Sequence, residues 1–260
     1  EYIRRPKEGG NIMTTKNLAR MAGAFYLILA VAGGFSELYV RSVVTVTGDA
    51  AATANNIVEH SSLMRFGFLA DLVNITLFLV VGLVMYSILE PVNDKAALAM
   101  VMFNAMAVAI MSLNMLNHLG ALLIATEPGY TAGLAEESSD ALVSLLLDLH
   151  GHGYGIAQIF FGLWLLPLGY LVYRSGYFPR ALGFMLMIGS GGYLADVVIT
   201  LLSPGFESSL SLYLAMPSGL AEVLFLIWLL VKGAVVPEGP VRNNRGGPAP
   251  AEPGLHATTS

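Results

Sequence analysis

From Leu63 to Leu89 the chain reads Leu63-Met-Arg-Phe-Gly-Phe-Leu-Ala-Asp-Leu-Val-Asn-Ile-Thr-Leu-Phe-Leu-Val-Val-Gly-Leu-Val-Met-Tyr-Ser-Ile-Leu89. Beyond Asp71 it holds no charged side chain. As a helix it rises about 40 Å at 1.5 Å per residue, enough to cross a hydrocarbon core of about 30 Å. Inside a bilayer no water can satisfy the backbone, so a segment of this kind must bond to itself as a helix.

Five other stretches read the same way: Leu18–Val40, Ala96–Ala125, Leu142–Tyr173, Ala181–Leu202 and Leu210–Val231. None alternates apolar and polar residues as a barrel strand does. The sequence therefore predicts an all-α polytopic membrane protein with a bundle of about six transmembrane helices. The whole composition agrees. Of 260 residues, 55% are hydrophobic and 12% charged, and the mean hydropathy is +0.68. A soluble domain carries about 25% charged residues, so too few charges remain here to clothe a wetted surface. A net charge of −5 argues against nucleic acid as a partner. No cysteine is present, which removes disulfides, thiolate metal ligands and cysteine nucleophiles together.

The cations assign sides. Arg4, Arg5, Lys7, Lys16, Arg20, Lys95, Arg174, Arg180, Lys232, Arg242 and Arg245 fall on one side of the six spans, and only Arg41 and Arg65 on the other. By the positive-inside rule both termini are cytoplasmic, in a multi-pass protein of the bacterial cytoplasmic membrane. Twelve of the 18 acids lie in the outer loops or within spans, so the outward part is strongly acidic.

Three parts are expected. Residues 1–12 read as a translated leader or disordered arm. Met13-Thr-Thr-Lys16 suits a start, and Lys7-Glu-Gly-Gly10 is encodable by a purine-rich ribosome-binding sequence. Residues 13–234 form the transmembrane domain. Residues 235–260, rich in Pro and Gly, read as a disordered cytoplasmic tail. In the first outer loop, Asp49–His60 reads as a short surface helix capped by Asp49. The acidic loop Thr126–Asp140 reads as a lid or a solvated connection.

Ionisable groups within spans are costly and point to function. At 1.5 Å per residue, Glu37, Asp71, His118 and His152 lie about 25–30 Å above the cytoplasmic end. Asp196 and Gln158 lie about 24 Å up, and Glu222, about 15 Å up, is near the midplane. Spacing pairs Glu37 with Arg41 and Asp148 with His152 at i,i+4, while His150 points elsewhere. Turned inward, these faces make a polar layer beneath the outer surface, with Glu222 as its floor. The expected ligand or ion pathway is Glu222, Asp196, Gln158, His118, Asp148 and His152. Glu37 with Arg41 and Arg65 with Asp71 are the expected structural ion pairs. His150 and His60 read as interfacial groups without a role. Pro217-Ser-Gly219 suggests a local helix break beside Glu222. Ala22, Ala30, Gly33, Gly34, Gly183, Gly189, Gly191 and Gly192 suit close helix contacts.

Three functional readings stand. The first is binding, transport or sensing of a small ligand or cation through an outward-facing polar cavity. The second is a metal-dependent intramembrane hydrolase, with His118, His152 and one or more of Asp71, Asp148 and Asp196 as candidate zinc or iron ligands, Asp148 first among the carboxylates. No His-Glu-x-x-His motif accompanies them, so no cofactor is expected. The third is a non-catalytic scaffold or partner subunit. Membrane lipids are the expected partners. Oligomeric state has no signature in the sequence.

Five stretches carry a resemblance. They are Ala19-Arg-Met-Ala-Gly-Ala-Phe-Tyr-Leu27, Gly48-Asp-Ala-Ala-Ala-Thr-Ala-Asn-Asn-Ile57, Phe160–Gly176 with its Tyr-Arg-Ser-Gly ending, Pro179-Arg-Ala-Leu-Gly183, and Glu222 with Trp228-Leu-Leu-Val-Lys-Gly233. Across about Lys16 to Gly233 the chain resembles an uncharacterised bacterial integral membrane family, domain of unknown function 4386. The resemblance implies a small multi-helix membrane protein and brings no activity, cofactor or site residue.

Overall fold

The computed structural model describes residues 14–202 and 207–235. The leader expected over 1–12 and the tail from 236 onward lie outside the described residues. Seven helices run in order: α1 Thr15–Val44, α2 Ala50–Glu59, α3 Ser61–Leu89, α4 Asp94–Thr126, α5 Glu136–Ser175, α6 Arg180–Leu202 and α7 Glu207–Val231. All but α2 contain a window long and apolar enough to span a membrane. No strand occurs among the described residues. Large apolar side chains such as Leu69, Leu113, Leu116, Ile188 and Val223 stand exposed on the outside of the bundle. The protein is thus a multi-pass membrane protein.

Local sequence sets the helix ends. Thr14, Asp49 and Asn93 accept from the backbone N–H of Asn17, Ala52 and Ala96 and cap α1, α2 and α4. Gly176, in the left-handed region at φ 69°, ends α5. The loops Glu90–Asn93 and Gly176–Pro179 share one face of the bundle with the ends of α1 and α7; we call this the terminal face. There Val235 donates its N–H to Tyr177 O, so the chain stays docked to Val235, one residue past the expected boundary of the domain.

The six spans close into a ring in which α1 packs on α3 and α7, and α3 to α7 pack in sequence. Apolar surface cannot choose neighbours here, because lipid is as apolar as the helix it would replace. Polar side chains donating to backbone carbonyls mark each seam instead. Asn74 donates to Leu29 O (α3–α1), Asn104 to Phe78 O (α4–α3) and Asn114 to His150 O (α4–α5). Ser190 donates to Gly162 O (α6–α5), Ser218 to Gly189 O (α7–α6) and Arg20 to Val231 O (α1–α7). Each bond contributes about 0.6 kcal/mol on average in a membrane bundle.

Small residues make room at these seams. Gly33, Gly82 and Gly153 face the amides of Asn74, Asn104 and Asn114, and a Cβ on any of them would strike that amide. Gly183 and Gly189 allow backbone approach between α5, α6 and α7. Gly34 and Gly191 have open space where a side chain would stand, so they are not contact residues as the small-residue pattern suggested. The expected break at Pro217 is also absent: α7 runs through it, held by the Ser218 bond on α6.

At the face opposite the termini, α2 lies across the ends of α4 and α5. Ile57 and Ala54 pack with Val40, Val44, Met64, Leu122 and Val143 in a separate apolar cluster. The buried side of α2 is Thr53, Ala54 and Ile57, while Val58 is exposed.

Candidate functional site

A cavity of about 110 Å³ lies inside the ring, with Glu222 in its wall. The carboxylate is held at both oxygens. Tyr26 donates its hydroxyl to Oε2, and Tyr193 donates to Oε1 across 2.9 Å. Counted from the terminal face, Tyr26 and Glu222 are each about 15 Å deep at 1.5 Å per residue, so this ligation of a carboxylate sits near mid-membrane. The rest of the wall is half aromatic (Phe78, Tyr154, Phe161 and Trp164) and half aliphatic (Leu29, Ile75, Val108 and Met111), with Asn74. These rings lock one another edge to face. Tyr154 meets Phe161 at 5.7 Å between centroids, Phe161 meets Phe78 at 5.5 Å, and Phe78 meets Trp164 at 5.3 Å. Trp164 Nε1–H is buried and has no partner. At roughly 10–15 Å³ per water, the volume admits several waters or one small organic molecule.

A second polar cluster stacks on this cavity toward the opposite face. Asp71 lies one turn from Asn74 and Ile75 on α3, and His150 one turn from Tyr154 on α5. On α4, Asn114 follows Met111 by three residues. One turn is about 5.4 Å, so the floor of the cluster is the roof of the cavity. Asp71, His118 and His150 are all buried, at 7%, 1% and 3% exposure. One ligating atom from each lies within 4.8 Å of the other two. Arg41 joins them: Nη2 donates to His150 Nε2 across 2.6 Å and to Asp71 Oδ2 across 3.2 Å, while Nη1 bonds Glu37. Ser36 donates to Asp71 Oδ2 across 2.7 Å.

The backbone of α1 explains this convergence. Phe35–Val40 form a π-helical turn closed by the Arg41 N–H on Ser36 O. An i→i+5 bond brings residue i+5 back above residue i, so Ser36 and Arg41 reach the same carboxylate. With α-helical spacing they would stand about 140° apart.

The placement of the sequence-derived candidates is mixed. Glu222, His118, Asp71 and Arg41 point into the bundle. Gln158 Nε2 donates to Asp196 Oδ2 across 2.6 Å, and the buried Oδ1 of Asp196 has no partner. Asp148 and His152 are exposed and belong to neither cluster. His150, set aside by the spacing argument, is the α5 histidine that turns inward. His150 and His152 are two residues apart, about 200° on a helix, so only one of them can face inward. Arg65 is exposed and absent from the ion pairs among the described residues. Six residues separate it from Asp71, about 240° around α3, so Arg41 takes that partner instead. Ser36, Tyr26, Tyr154 and Tyr193 carried no sequence signal, because serine and tyrosine within a span read as ordinary packing.

A family model described as a domain of unknown function, DUF4386, matches residues 21–233. An uncharacterised protein of Archaeoglobus fulgidus is 30% identical over 164 residues, which is 63% of this chain and 82% of that relative. No solved structure matches.

Proposed function

Because the chain belongs to the DUF4386 family, whose description assigns no activity, we propose from its geometry that it binds a small organic cation midway across the membrane. The observation that carries this reading is a mid-membrane carboxylate, Glu222, facing a cavity to which six aromatic side chains, Tyr26, Phe78, Tyr154, Phe161, Trp164 and Tyr193, contribute. A cation over aromatic faces gains about 0.5–2 kcal/mol from the ring quadrupole, more as water is excluded. The carboxylate supplies the counter-charge, which a mid-membrane cation needs to be bearable. Tyr26 and Tyr193 orient that carboxylate. The unpartnered Trp164 Nε1–H offers a donor to a polar substituent on the ligand.

Trp164 also reports on the cavity. In a Trp228→Phe background it is the remaining tryptophan. Tetramethylammonium and n-propylammonium are expected to change its fluorescence saturably, with sodium chloride at equal ionic strength as the control. Glu222→Gln keeps the shape and removes the charge, and is expected to weaken the response by about tenfold or more, the loss of about 1.4 kcal/mol or more. A linear, unsaturable response, or an unchanged affinity in Glu222→Gln, defeats the proposal.

We propose further that the protein resides in the cytoplasmic membrane with both termini inside, on the strength of the eleven-to-two cation asymmetry. The natural lack of cysteine makes the orientation directly measurable. A membrane-impermeant maleimide applied to intact cells is expected to label Ser138→Cys, in the first turn of α5, the fourth span, and to spare Glu90→Cys in the loop between α3 and α4. The reverse pattern inverts the topology.

A further inference from the structure

Lying apart from Glu222, the Asp71–His118–His150 cluster has its own chemistry. Each imidazole has one nitrogen occupied by a backbone carbonyl. His118 Nε2 faces Met64 O at 3.4 Å, and His150 Nδ1 faces Asn114 O at 3.3 Å. A carbonyl can only accept, so these nitrogens carry the protons. The lone pairs are then on His118 Nδ1 and His150 Nε2, the two nitrogens that face the Asp71 carboxylate and the Arg41 guanidinium. His118 Nδ1 lies 3.9 Å from Asp71 Oδ2. Asp71 is itself oriented by Ser36. A ligating histidine whose other N–H is anchored on a carbonyl, beside a hydrogen-bonded carboxylate, is the usual outer-shell arrangement of a metal site.

We propose that Asp71 Oδ2, His118 Nδ1 and His150 Nε2 form a zinc site, and that the Arg41 guanidinium holds the metal's place in the metal-free protein. Two nitrogens and one carboxylate oxygen, with no sulfur, suit a borderline divalent ion of this class. Ligand atoms around a tetrahedral zinc at 2.0–2.1 Å stand about 3.3 Å apart. The three groups, within 4.8 Å of one another, need to draw in by up to about 1.5 Å. Arg41 is the obstacle, since Nη2 bonds both Asp71 and His150. Glu37 is its exit. Nη1 already bonds that exposed carboxylate, so the guanidinium can let go of the cluster while keeping one partner. Zinc binding and release of Arg41 are therefore one exchange of cations, and it acts on the π-helical turn of α1.

The test is a cobalt titration of the chelator-treated full chain in detergent, cobalt standing in for zinc because it is coloured in a tetrahedral site. One equivalent is expected to give the tetrahedral absorption bands, and zinc to remove them. His118→Ala and His150→Ala are expected to lose the bands, while Asp148→Ala and His152→Ala keep them. Should either alanine variant fail to elute as a folded species, His118→Gln or His150→Gln takes its place. Arg41→Gln removes the competing cation and is expected to bind about tenfold tighter or better, as release of a close like charge implies. Zinc is also expected to raise the thermal stability of Arg41→Gln more than that of the wild type. Absence of the bands in both wild type and Arg41→Gln overturns the proposal. Bands that survive loss of either histidine overturn it too.

Discussion

Gly183→Leu is expected to prevent assembly of a folded bundle. A Cβ on Gly183 would lie 2.5 Å from Tyr173 N, 2.6 Å from Gly169 O and 2.9 Å from Tyr173 Cα. All three are backbone atoms, so no side chain can rotate aside. The facing residue is under the same constraint: a Cβ on Gly169 would lie 2.7 Å from Gly183 O. Overpacking a core that can adjust costs about 1–3 kcal/mol, and here α5 and α6 must move apart as rigid rods, which takes the cost beyond that range. Separation would also break the bond from Ser190 to Gly162 O on the same seam. Size-exclusion chromatography after mild solubilisation is expected to show aggregate in place of a single species. Gly191→Ala makes the contrast, since nothing lies within 4 Å of a Cβ there. It is expected to be neutral or to stabilise by up to about 1 kcal/mol, the helix propensity difference. Equal behaviour of the two variants would show that the α5–α6 contact is looser than the structure has it.

Arg41→Leu carries the second large effect. It leaves Asp71, 7% exposed, without its cation inside the bundle. Removing one partner of a buried ion pair costs about 3–5 kcal/mol, because the other charge is left uncompensated. Asp71→Leu in the wild-type background strands Arg41 less severely, since Glu37 still accepts from Nη1. The double variant Arg41→Leu/Asp71→Leu has no stranded charge. It is expected to be more stable than Arg41→Leu alone and to show a clear coupling energy in a double-mutant cycle. Thermal denaturation in detergent with metal chelated reads all four corners of the cycle. Strict additivity would mean that the two side chains do not interact in the folded protein.

Each of these effects rests on a feature that the chain shows only in part. Gly183 and Gly191 are both glycines inside one apolar span. What separates them is which side of α6 faces α5, and the span is apolar all the way round. In a soluble protein an amphipathic stripe reveals the buried side. In a membrane helix lipid and core are equally apolar, and the phase is lost. The same loss explains α5. Spacing joined Asp148 to His152, a sound i,i+4 pair, but could not say which side of the helix turns inward. The inward side carries the buried His150 and Trp164, and Tyr154, 40% exposed, lines the cavity beside them. Sequence paired Arg65 with Asp71 and Arg41 with Glu37. The π-helical turn at Phe35–Val40 gives Asp71 to Arg41 as well, and no residue in Phe35-Ser-Glu-Leu-Tyr-Val40 announces it.

What could be read along the chain is what depends on local chemistry. Hydropathy and the need to satisfy every backbone group internally determined the six spans, and a short polar side chain ahead of an apolar-bearing segment marked the cap at Asp49. Rise per residue determined depth, which is why Glu222 already stood out as the buried mid-membrane acid. The partners of each group depend on helix rotation and on distant helices. Tyr26 reaches Glu222 from 196 residues away, and His150 meets Arg41 across 109. Those meetings required the ring to close, because only packing fixes the rotation of a helix that is apolar on every side.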